Sequence, residues 1–211
     1  MRLSWASDVR RTCFWGTLLA LIVSPVVQAA SLTVPNAPFV DLSDKLEYLE
    51  DVNGTYKLQT VMAMKPWSEP LGETPNLGLT SSAFWFRIDL EPPQTGVEWK
   101  RIIEVSQSDL DLIQLWLLDD SGNTIRHYRT GANVPPDARP MPTLLYAFPE
   151  TLPGSKVTLV VRAESLDSLV VPVHLWTTQA YAQKEQDKNI FLGIFYGILL
   201  VTALYNLGVY A

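Results

Sequence analysis

Apolar and polar residues alternate with a period of two over most of the chain. Residues 46–49, 84–90, 101–105, 110–118, 124–129, 144–148, 157–163 and 169–176 carry this pattern and predict eight strands. Turn chemistry separates them: Asn53-Gly54, Pro92-Pro93, Ser121-Gly122-Asn123, Val134-Pro135-Pro136 and Pro153-Gly154. No amphipathic helical run lies between the strands, so the pattern favours an all-β, antiparallel two-sheet sandwich over an α/β fold. Alternation also assigns faces. Phe84, Phe86, Ile88 and Leu90 share a core side, as do Val157, Leu159 and Val161, and Leu169, Val171, Val173 and Leu175. Trp85, Arg87, Asp89, Arg162 and Trp176 then fall on the opposite faces. Pro172 lacks a donor in mid-strand and predicts an edge strand or a bulge.

The two ends break the period. Residues 190–211 contain no charged side chain, and at ~1.5 Å per residue they form about 33 Å of helix, enough to span a membrane. From Thr177 or Thr178, a suitable N-cap, the segment 178–189 has neither Pro nor Gly. It is expected to run unbroken into the span and to couple the two parts rigidly. Gly193 and Gly197 clear one stripe for a neighbouring helix, and Asn206 points to the opposite side, so Gly193, Gly197 and Asn206 are read as helix-packing positions in a multi-helix bundle. The chain stops near the expected membrane exit, which predicts that the remaining helices lie beyond it. At the other end, Arg2, Arg10 and Arg11 precede an apolar run, and Val27 and Ala29 stand at the small positions of a cleavage site. Residues 1–29 are thus expected to be a secretory signal peptide, 30–177 the exported sandwich, 178–189 a juxtamembrane helix and 190–211 the first membrane helix. An exported N-terminus orients that helix inward, although Lys184 and Lys188 on its outer flank oppose the positive-inside tendency.

Composition removes several functions. The 211 residues hold 16 basic and 22 acidic side chains, and no basic block forms a footprint for nucleic acid. The single cysteine, Cys13, lies in the leader, so neither a disulfide framework nor a thiolate metal site is expected. His127 and His174 stand outside any metal motif, and Asp109, Asp111, Asp119 and Asp120 read as solvated loop carboxylates rather than a calcium site. No nucleophile elbow or phosphate loop is present. Neither an enzyme activity nor a cofactor is expected, and the chemistry that remains is recognition. Aromatic rings offer an apolar face to a sugar, and arginine forks reach hydroxyls or carboxylates. Trp85, Arg87, Arg139, Arg162 and Trp176 are therefore the candidate ligand-binding residues. The competing reading has Arg87 paired with a buried carboxylate and the two tryptophans merely covering a second face.

Certain stretches resemble a known family: Tyr48-Leu49-Glu50-Asp51, the run 77–87 through Phe84-Trp85-Phe86-Arg87, Arg139-Pro140-Met141-Pro142, the run 148–154, and Leu175-Trp176. Gly193-Ile194-Phe195-Tyr196-Gly197-Ile198-Leu199-Leu200, followed by Ala203-Leu204-Tyr205-Asn206, extends the likeness into the span. Residues 40–211 resemble the second extracellular domain type and first membrane helix of the bacterial 7TMR-DISM receptors. That resemblance implies a jelly-roll sandwich similar to carbohydrate-binding modules. It also implies an inner-membrane receptor whose periplasmic sandwich senses a small molecule or glycan and relays it to a cytoplasmic output module. Two alternatives stand beside it: a module that pairs with a partner receptor or a second copy, and the binding module of a membrane-anchored glycan-degrading enzyme.

Overall fold

The computed structural model describes residues 31–210, so the expected leader lies outside the described residues. The first strands are β1 (Ser31–Thr33), β2 (Phe39–Asp41), β3 (Glu47–Asp51), β4 (Asn76–Leu79), β5 (Ala83–Glu91) and β6 (Trp99–Val105). They are followed by β7 (Leu112–Leu118), β8 (Thr124–Thr130), β9 (Tyr146–Leu152), β10 (Val157–Glu164), β11 (Ser168–Val170) and β12 (Val173–Trp176). Two α-helices join them, α1 (Leu58–Ala63) and α2 (Thr178–Tyr210).

The strands form a sandwich. One sheet has the order β1-β5-β10-β7-β8, with β3 also on β5, and the facing sheet has the order β2-β12-β6-β9. A two-stranded pair, β11 with β4, stands apart. Pairing is antiparallel with one exception that corrects the expectation: β1 runs parallel to β5, with Ser31 opposite Asp89. Short connections set which strand ends lie together. The β6–β7 and β10–β11 loops put Val105, Leu112, Glu164, Ala83 and Asp51 at one end of the sandwich. The β5–β6 and β9–β10 loops mark the other.

The expected core faces meet between the sheets. Phe84, Phe86, Ile88, Leu90, Val157, Leu159, Val161, Leu169, Val171, Val173 and Leu175 all join one cluster with Ile103, Tyr146 and Phe148. The expected strand 169–176 is two strands, because the chain steps from β11 to the main sheet at Val171-Pro172. There Val171 N–H donates to the Pro75 carbonyl at 3.0 Å and the Pro172 carbonyl accepts from Ser106 N–H at 2.9 Å. The prolyl nitrogen thus falls in the break, and β12 lies inside its sheet between β2 and β6 rather than at an edge.

The Thr177 hydroxyl accepts from Ala180 N–H at 3.2 Å and caps α2. The first turns of α2 lie on the outer face of the four-stranded sheet, where buried Tyr181 packs with Ile102 and Ala147, flanked by Met141 and Trp176. Lys184 pairs with Glu104. Beyond these turns α2 is exposed and continues unbroken, the one described helix long and apolar enough to cross a membrane. A Cβ added at Gly193 or Gly197 would meet no atom within 4 Å.

Candidate functional site

At β5 the outer face of the larger sheet is not a solvent face. Every residue of β5 from Ala83 to Leu90 is buried on both sides, because the segment 52–67, which contains α1, folds back over the sheet. Val61 and Trp67 from this segment pack with Trp85, Trp116, Leu118 and Val160 in a second core. Asp51 ties the cover down at its start. Its buried carboxylate accepts from Thr55 N–H at 3.1 Å, Tyr56 N–H at 2.8 Å and Trp85 Nε1–H at 3.4 Å. A reciprocal backbone pair between Tyr48 and Ser68, at 2.9 and 3.2 Å, ties it at its end.

Three of the five sequence candidates meet beneath this cover. Trp85 is buried, and its ring stacks on Trp116 at 5.3 Å. The Arg87 Nε donates to Glu47 at 3.0 Å, with Nη2 on the same oxygen, and its guanidinium lies 4.5 Å from the centre of the Trp67 ring. Arg162 donates to the Gly54 carbonyl at 3.0 Å and to Gln114 at 3.3 Å, and it pairs with Glu164. Both guanidiniums are spent on internal partners, as desolvated charges must be. For Arg87 this is the competing expectation, a pairing with a buried carboxylate, and the ligand reading of Arg87 and Arg162 gives way to it: alternation assigns the face, but it is silent on a cover that comes from elsewhere in the chain.

The other two candidates belong to the helix joint. Arg139 lies 4.8 Å over the Tyr146 ring and donates to the Thr143 carbonyl at 3.2 Å, which pins the loop 139–145. Half-buried Trp176 packs on Phe39 at 4.4 Å and lies 5.1 Å from the Lys184 ammonium. At the centre of the joint is Glu104, whose side chain is fully buried. Burial alone would raise its pKa, but hydrogen bonds from His174, Lys184 and Ser106 outweigh that and hold it at about 2. His174 Nδ1 is 2.8 Å from Ser106 Oγ and 3.5 Å from Glu104.

A cleft of about 460 Å³ opens beside the cover, lined by Tyr56, Lys57, Gln59, Gln114, Trp116 and His127 among others. Its floor is a plate stack: Trp85 on Trp116, then Trp116 on His127 at 4.7 Å and 11°. The faces of Trp116 are thus occupied by its neighbours, and the free ring face is that of exposed His127. Burial and then the nearby Arg129 charge lower the His127 pKa, which favours the neutral imidazole. Around it, one ammonium can donate to a polar ligand and two side-chain amides can donate or accept. Sequence reasoning missed this set. Tyr56, Lys57 and Gln59 fall where no strand period reaches, and a lone His127 outside any metal motif reads as an ordinary core or surface residue.

A second, more polar pocket of about 380 Å³ lies among loops at the end where β5 begins, between Asn53, Ser81, Asp111, Asn133 and Glu164. Asp111 there accepts from Leu166 N–H at 2.7 Å and Asn133 at 2.8 Å, whereas Asp119 closes its own turn on Ser121 and Asn123. Asp120 faces Lys156 at 3.4 Å and Asp109 accepts from Gln107. The aspartates are dispersed, and among the described residues no group of three or more His, Cys, Asp or Glu side chains is placed to hold a metal ion.

The sequence model of the family described as 7TMR-DISM extracellular 2 matches residues 43–177. No curated protein matches the chain. Among solved structures, CsCBM6-3 from Clostridium stercorarium, determined in complex with cellobiose, is similar at 10% identity and a TM-score of 0.31, covering 72% of this chain and 98% of that one. The enzymatically active domain of tailspike protein 4 from Bacteriophage CBA120 is similar at 13% identity and a TM-score of 0.28, covering 66% of this chain and 18% of that one. At such scores the two likenesses add nothing to the architecture already given by the strand pairing.

Proposed function

The chain belongs to the 7TMR-DISM extracellular 2 family, and on that premise we propose that its extracellular sandwich senses a small polar ligand and relays it through α2. The observation that carries the relay is the continuity of α2: one helix whose first turns are fastened to the sandwich by Tyr181 and Lys184 and whose remainder is the apolar span. A helix without a flexible linker transmits a displacement of its seat, where a Gly/Ser tether would absorb it.

The ligand site in this reading is the cleft beside the cover. Lys57 meets a carboxylate or hydroxyl, Gln59 and Gln114 supply amide hydrogen bonds, and the free face of His127 meets an apolar ring edge. A glycan or a carboxylate-bearing compound has the matching chemistry. Trp85, Arg87 and Arg162 act under the cover as its footing, positioning the cleft without touching the ligand. The protein works by binding, without catalysis or cofactor, in the inner membrane of a bacterium with the sandwich in the periplasm. Gly193, Gly197 and Asn206 pack against neighbouring membrane helices.

The test is a thermal-shift screen of the full chain in nanodiscs against sugars, amino acids and small carboxylates, repeated on His127→Ala and Lys57→Ala. A ligand specific to the folded state stabilises it by about 2.7 kcal/mol at a hundredfold excess over Kd. A hit abolished in both variants supports the cleft. A blank across the screen from a well-folded protein replaces the small-ligand reading with the partner-binding one.

A further inference from the structure

The sandwich leaves few apolar side chains in water, and the most exposed of them are not scattered. Of its large apolar residues, Leu79 (81%), Leu166 (80%), Val52 (66%) and Leu144 (65%) are the most exposed, and none of the rest reaches half. Val52 follows β3, Leu79 closes β4 opposite Ser168, Leu166 lies between β10 and β11, and Leu144 leads into β9. All four therefore sit at the same end of the sandwich, the end where β6 finishes and β5 begins.

That is also the end by which α2 leaves. Tyr181 packs with Ile102 and Lys184 pairs with Glu104, so α2 and β6 advance in the same direction. From Lys184 to Ile190, where the charge-free segment starts, is about 9 Å at ~1.5 Å per residue. From Glu104 to the start of the β6–β7 loop at Ser106 and Gln107 is two or three extended residues, roughly 7 to 10 Å. The loops at this end and the start of the apolar span thus lie at a similar level. The loops at this end, 52–56, 79–82, 106–111, 131–145 and 165–168, carry Asp109, Asp111, Asp137 and Asp167 against a single basic residue, Arg139, whose guanidinium is turned onto the Thr143 and Leu144 carbonyls. Attraction to anionic headgroups is therefore not what would hold them, while isolated leucines on polar Ser, Thr and Asn loops suit shallow insertion.

We propose that Val52, Leu79, Leu144 and Leu166 form a membrane-contacting rim that seats the sandwich on the outer lipid surface beside α2. The occupant follows from the tether: the helix that crosses the membrane emerges at this end and holds it against lipid. The rim gives the sandwich a second foothold, so a tilt of α2 changes how the loops sit in the headgroup layer. The polar pocket bounded by Val52 and Leu166 opens at the same level, whereas the lateral cleft faces the aqueous side. This inference rests on α2 crossing the membrane.

The experiment is nitroxide accessibility on the full chain, with Cys13→Ser, in phosphatidylcholine nanodiscs. Single labels are placed by Leu79→Cys and Leu166→Cys at the rim, Val97→Cys at the far end and Ile198→Cys in the span. The expected oxygen-to-nickel collision ratio at 79 and 166 is at least about threefold that at 97. Ratios at 79 and 166 equal to that at 97, with a high ratio at 198, overturn the rim and leave the span intact. A low ratio at 198 overturns the span reading itself. Labels at 79 and 166 shielded from both reagents show a protein cover, a second copy or further membrane helices, and overturn lipid as the occupant.

Discussion

Replacing Glu104 by Gln removes the charge at the joint and keeps its shape. The carboxylate is fully buried and is held at about 2 by His174, Lys184 and Ser106 against an ordinary value of 4.5. A folded pKa below the unfolded one contributes stability that is complete above about 4.5 and is lost as pH falls toward about 2. At about 1.4 kcal/mol per unit, the window is worth about 3 kcal/mol. Lys184 is 30% exposed, so in Glu104→Gln it can turn to water and adds little cost of its own. Urea unfolding of the full chain in a non-ionic detergent, followed by tryptophan fluorescence, measures both proteins at steps from pH 7 to 2. Other carboxylates titrate in both, so the informative quantity is the difference between parent and variant. It is expected to be constant from pH 7 to about 5 and to shrink by about 3 kcal/mol by pH 2. A difference that stays flat across that window would refute the account of Glu104 as the charged keystone of the joint.

Phe86→Ala should cost about 3 to 5 kcal/mol in the same unfolding assay, since Phe86 is fully buried between the sheets; a loss below about 1 would remove it from the core. Trp67→Ala should lift the cover from Arg87 and raise acrylamide quenching of the remaining tryptophans, chiefly Trp85 and Trp116; unchanged quenching would show that the cover is held without it. Gly193→Leu combined with Gly197→Leu should weaken helix association in a membrane two-hybrid assay, and an unchanged signal would take the glycines off the packing face.

Periodicity is a local property, and whatever depended on it was legible in the chain. Strands such as β5, β7 and β10 announce themselves because one face must be apolar to meet the facing sheet, and Phe86, Leu159 and Val173 lie where alternation puts them. The charge-free apolar stretch of α2 was equally plain, because its length and composition are read directly from the chain. The short strands β1, β2 and β4 were not, since three or four residues carry too few alternations to register, and their pairing is supplied by a neighbour already in place. Nor could alternation show that Trp85, Arg87 and Arg162 lie under a roof. The chain's pattern leaves Arg87 open between a ligand contact and a pairing with a buried carboxylate, and the choice is made only when Glu47 and Trp67 are brought to it from 40 and 20 positions away. The same holds for the cleft and the rim. Which rings stack, which carboxylate is buried at the joint, and which leucines share the end where the helix departs are consequences of long-range register. The chain's local pattern sets what each strand can bury; only the tertiary fold decides what covers it.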